Sequence, residues 1–73
     1  MNETTHGMDR VNEILDAARD WYLEIYGAVA SDNRIIKKLG FTSTSLGRWR
    51  RGRPVSAGSL MRLAENLKTL RGK

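Results

Sequence analysis

The 73-residue chain contains no cysteine and a single histidine, His6. Disulfides and thiolate metal sites are thereby excluded, and a lone histidine in the polar start MNETTHG reads as a solvated residue, not a ligand or a base. No apolar run approaches the roughly 18 residues of a membrane span, and the acidic, polar N-terminus lacks the basic-then-apolar order of a secretory signal. A cytosolic protein is expected. Repeats and low-complexity tracts are absent as well. So are a nucleophile–base arrangement, a metal-ligand cluster and a Gly-rich phosphate loop, and the expectation is no catalytic residue, no cofactor and no metal: not an enzyme. A chain of this length makes one domain that buries only about 60% of its unfolded surface, so its stability must come from a well-packed core.

Acids are scarce in one half and bases in the other. Residues 1–32 carry two basic side chains, Arg10 and Arg19, against seven acids, Glu3, Asp9, Glu13, Asp16, Asp20, Glu24 and Asp32, for a balance of −5. Residues 33–73 carry eleven bases and one acid, Glu65, for +10, and the two halves together give the overall +5. A strongly basic half is the electrostatic footprint of a polyanion binder; the plainer alternative is a solubilising surface.

Apolar residues recur at Met8, Val11, Ile14, Leu15, Ala18, Tyr22, Ile25 and Val29. That 3.6-residue period predicts a long amphipathic helix over 8–29, preceded by a flexible tail over 1–7. Ser31-Asp32 then supplies an N-cap for a second helix through Leu39, which Gly40 ends in a left-handed conformation. Phe41 is apolar enough to tuck under the turn, and in the hydroxyl run TSTS either Thr42 or Ser43 caps a short third helix running to Gly52. Pro54 bars its continuation. Ser56 caps a fourth helix with Leu60, Leu63, Ala64, Leu67 and Leu70 at helical spacing. The expected fold is all-α, a compact four-helix domain over 8–73.

Within it, the stretch RWRRGRP, residues 48–54, admits two readings. Its last four letters resemble the core of an AT-hook, a flexible peptide that lays arginines along the minor groove of A·T-rich DNA. They are equally the basic end of a helix stopped by Gly52 and Pro54. A helix, a tight turn opening with glycine and a second short helix, over about 32–51, is the layout of a helix-turn-helix, in which the second helix enters the major groove. Ile35, Ile36 and Leu39 from the first helix and Leu46 and Trp49 from the second would close the core. Trp49 can also be read as a base-stacking residue, but its spacing from Leu46 favours the core.

The text RIIKKLGFTSTSLGRWRRGR followed by SLMRLAENL resembles the lambda-repressor-like, Cro/CI-type family over about forty residues. The resemblance implies a small all-helical domain of four or five helices whose third helix reads DNA. It further implies a transcriptional regulator of the phage or prophage repressor type. Ile36 stands where that family usually has alanine, four residues before the turn glycine, and hydroxyls replace its usual glutamine near the start of the recognition helix.

Independently of the family, turning Leu46 and Trp49 inward leaves Thr44, Gly47, Arg48 and Arg51 on the opposite face, since successive residues are about 100° apart. Arg48 and Arg51 can pair with guanine O6 and N7, Thr44 can meet a base edge or a thymine methyl, and Gly47 permits close approach. Ser43, Ser45 and the helix-start N–H groups suit phosphate contact, and Arg50 and Arg53 point to the flanks, where they would grip phosphate. The plain alternative is a solvated polar face. Binding to double-stranded DNA as a homodimer is expected, because one short helix reads too few base pairs for selectivity.

Two other functions fit the same residues. One is a nucleoid-associated or silencing protein that reads A·T-rich minor grooves through RGRP. The other is an antitoxin or interaction module using the acidic helix 8–29, where Glu13, Asp16, Asp20 and Glu24 form a stripe. That stripe is a solvated face turned away from phosphate or a contact with the basic half of a neighbouring molecule. Trp21, Tyr22 and Tyr26 can form a partner patch: Tyr22 lies on the core stripe, Trp21 and Tyr26 at its margins and Leu23 on the polar side, as a self-association surface or as margin packing on the fourth helix.

Overall fold

Side-chain chemistry at the helix ends sets the architecture. A computed structural model describes residues 7–72; His6 and the expected tail, apart from Gly7, lie outside the described residues. These form α1 (Met8–Tyr26), α2 (Asp32–Lys38), α3 (Ser43–Arg50) and α4 (Ala57–Arg71), with no strand among them. Three of the helices start in one way. Ser31 Oγ accepts from the Arg34 N–H at 3.3 Å, Thr42 Oγ1 from Ser45 N–H at 3.2 Å, and Ser56 Oγ from Ser59 N–H at 3.1 Å. Each satisfies a donor that the first helical turn leaves without a backbone partner. The residue before each cap, Ala30, Phe41 or Val55, turns toward the core that also takes up Ile35, Leu46 and Leu60 four positions past the caps. That is the staple arrangement fixing the angle at which chain enters helix.

The ends of α2 and α3 share a different device. At Gly40, φ is +84°; its N–H bonds to the Lys37 carbonyl and the Phe41 N–H to the Ile36 carbonyl, both at 3.0 Å. At Gly52, φ is +98°; its N–H bonds to Trp49 O and the Arg53 N–H to Arg48 O, both at 3.1 Å. These paired bonds consume carbonyls that the last turn orphans, and they need a left-handed residue where a Cβ would clash.

The core joins Val11, Ile14, Leu15 and Ala18 of α1 to Ile35, Ile36 and Leu39, to Leu46 and Trp49 of α3, and to Leu63 of α4. α1 lies against both α4 and α2, and α2 against α3. Ile36 is wholly buried, so its bulk is absorbed in the core. Leu60, Ala64, Leu67 and Leu70 pack on this cluster half-buried.

Three expectations need correction. The first helix does not reach residue 29: it ends at Tyr26, where the Gly27 N–H bonds to the Leu23 carbonyl at 2.8 Å and the chain departs. Val29, assigned to the apolar stripe, therefore lies beyond the helix and is 76% exposed, and Ile25, inside its last turn, is 58% exposed. Gly7, assigned to the tail, is instead the N-cap position of α1, and a Cβ there would come within 3.2 Å of Val55 Cβ.

Candidate functional site

α3 divides cleanly into two faces. Leu46 is buried and Trp49 nearly so, its ring 5.6 Å from that of Phe41, which in turn lies under the Arg62 guanidinium at 5.0 Å. This places Trp49 in the core. On the opposite side Thr44, Arg48 and Arg51 are exposed and Gly47 half-buried. Arg51 is the C-cap of α3 and not its last helical residue.

The helix start is partly committed. The Ser45 N–H goes to Thr42, and the Thr42 hydroxyl donates to Ser45 Oγ at 3.3 Å, so Ser45 belongs to the cap. Ser43 and Thr44 are exposed, and their N–H groups have no acceptor within the described residues. They carry the free positive end of the helix dipole.

The arginines of the RWRRGRP stretch are not equivalent. Arg50 donates to Asp32, whose other carboxylate oxygen accepts from Arg19. Asp32 thereby ties α1, the start of α2 and α3 together, and Arg19 also pairs with Asp16 at 2.8 Å. The hydrogen bond from Arg50, then that from Arg19, holds the Asp32 carboxyl below its usual range against the opposing effect of burial. The Arg19 guanidinium is correspondingly pushed up, chiefly by its bond to Asp32. Arg50, expected at the flank with its charge free, is therefore held by an internal carboxylate.

Arg48, Arg51 and Arg53 have no acid partner among the described residues. Arg53 is exposed, but its backbone is folded back onto Arg48 through the left-handed Gly52. The first half of RGRP, Arg51-Gly52, is thus the terminus of α3, and Arg53-Pro54 lead away from it without regular structure. Nearby, Arg34, Lys37 and Lys38 border a shallow concavity with Ser31 and Asn33, and Lys38 Nζ lies 5.5 Å over the Tyr26 ring.

The backbone does not require glycine at position 47. Gly47 sits inside a helix, its φ is not positive, and an added Cβ would meet only Arg51 Nη1 at 3.9 Å, an ordinary contact. Glycine there costs α3 about 1 kcal/mol relative to alanine.

Two contributors escaped the sequence reading. Asn66 of α4 donates to the Leu39 carbonyl at 2.7 Å, capping α2 from outside. The available signal was an asparagine inside a helix, where it is a poor former. Asp32 was read only as a helix-start residue.

No group of His, Asp or Glu able to hold a metal occurs among the described residues, and no described helix is long and apolar enough to cross a membrane. Comparisons with protein-family models, curated proteins and solved structures find no match to the chain.

Proposed function

We propose that the chain is a sequence-specific double-stranded DNA-binding regulator of the helix-turn-helix type, with α3 as its recognition helix. One observation carries this reading: Thr44, Arg48 and Arg51 are exposed on one face of α3 with the half-buried Gly47 among them, two guanidiniums lacking an acid partner among the described residues and a glycine that the backbone does not require. A major groove supplies what each residue lacks. Guanine O6 and N7 accept from Arg48 and Arg51, Thr44 meets a base edge, and Gly47 admits the groove wall. Ser43 and the free N–H groups of Ser43 and Thr44 take a phosphate oxygen, and Arg53 clamps the backbone beyond the helix. Arg50 acts differently from its neighbours, as a strut to Asp32. The chain acts by occupying an operator, in the cytoplasm on the nucleoid.

The minor-groove reading through RGRP is less well supported, because Arg51 and Gly52, the first half of that tetrapeptide, are tied into the closing turn of α3. Selection of bound sites from random duplex DNA tests the proposal. A defined motif in which exchanging A·T for T·A abolishes binding is expected. A pool enriched only in A·T content, tolerant of that exchange, would replace it with minor-groove binding.

A further inference from the structure

Away from α3, a groove of about 620 Å³ runs between α1 and the end of α4, lined by Ala17, Asp20, Trp21, Leu23, Glu24 and Arg71. Asp20, Glu24 and Arg71 face this one concavity, yet none has an ion-pair partner among the described residues. Between the charges lies apolar surface. Trp21 is half-buried, braced edge-on by Tyr26 at 6.1 Å, and Leu23 is 45% exposed.

We propose that this groove docks a second copy of the chain in a two-fold pair, with Asp20 and Glu24 of each copy facing Arg71 of the other across Trp21 and Leu23. The charge pattern selects the occupant. Two carboxylates beside the groove repel nucleic acid and anionic lipid, whereas carboxylates and a guanidinium on opposite walls of one patch are self-complementary under a two-fold rotation. A rigid aromatic at the centre with charges at the rim is the usual anatomy of such contacts. The lining is six residues, so the pair is a reversible one and not an obligate dimer. The contact does not depend on the nucleic-acid reading and is measured without DNA.

Sedimentation equilibrium of the full chain up to about 1 mM should show a monomer–dimer equilibrium. Asp20→Lys with Glu24→Lys in one chain, and Arg71→Glu in another, should each weaken association by about tenfold or more. Mixing these two variants should restore it, because in the mixed pair every lysine faces a glutamate. Leu23→Ser, at an exposed position outside the core, should also weaken association without altering charge. A monomeric wild type over this range, variants that associate like wild type, or a mixture no tighter than its components would each overturn the proposal. Restoration only when all three substitutions sit in one chain would place the charge contact within a molecule, and would overturn it too.

Discussion

Asp32 occupies the first position of α2, yet its carboxylate accepts from Arg19 of α1 and Arg50 of α3. Both pairs are partly exposed, so Asp32→Asn should lower stability by only about 1 kcal/mol in chemical denaturation. The pH dependence is more specific. The folded-state pKa lies below the ordinary 3.8, so the stabilisation is present above about pH 4 and is lost as pH falls through the lowered value. The asparagine variant should therefore show a flatter acid limb. The same substitution releases Arg50, and on the DNA reading the released guanidinium should steepen the salt dependence of binding by about 0.9 in log–log slope. An unchanged slope would mean that Arg50 reaches no phosphate even when free. Arg48 and Gly47 give the sharper tests of the recognition face. Arg48→Ala should cost about 1–3 kcal/mol on the selected site and relax preference at one base pair; equal loss on random DNA would reassign Arg48 to phosphate. Gly47→Ala should raise thermal stability by about 0.5–1 kcal/mol, since alanine suits the helix and meets nothing closer than 3.9 Å, while weakening DNA binding. Gain in both would remove Gly47 from the interface.

At the scale of elements, the helix ends were legible in the sequence because capping is decided within three or four residues. Ser31, Thr42 or Ser43, and Ser56 were readable as starts, and Gly40 and Gly52 as stops. The inward set of α3 was readable from the spacing of Leu46 and Trp49, and with it the outward set. What the pattern missed was non-local or hidden by continued periodicity. Ile25 and Val29 keep the apolar spacing of α1, yet both are exposed: Val29 lies beyond Gly27, where the chain has left the helix, and Ile25 sits in the last helical turn. The Asp32–Arg19 and Asp32–Arg50 pairs span 13 and 18 residues, and Asn66–Leu39 spans 27, distances at which no sequence spacing indicates proximity. The two terminating glycines differ in a testable way. Around Gly52 a Cβ would meet nothing, so Gly52→Ala should cost about 1–2 kcal/mol for the left-handed backbone alone. At Gly40 the Cβ would come within 3.1 Å of Asn66 Nδ2, the atom that bonds Leu39 O. Gly40→Ala should therefore cost more than Gly52→Ala, and the excess should shrink in an Asn66→Ala background. Equal costs in both backgrounds would show that Asn66 moves aside freely.

Over the whole molecule, charge is sorted by chain half, with acids on α1 and unpaired bases on and after α2. That sorting is along the sequence: α4, which carries Arg62, Lys68 and Arg71, packs against the acidic α1. On the DNA reading, each arginine at the backbone contributes a countable share of released counterions. Arg53→Ala should weaken DNA binding across all sequences and reduce the salt slope by about one phosphate's worth. A slope identical to wild type would place Arg53 away from the backbone. The repeated start-and-stop grammar of α2, α3 and α4 bears also on how quickly the molecule forms. Each of these helices has its first or last turn fixed by bonds between residues three to five apart. Little is left to search beyond the long closure that seats α4 on α1. Helical domains ruled by such near-neighbour contacts fold in about microseconds to milliseconds, and temperature-jump relaxation should place this chain in that range.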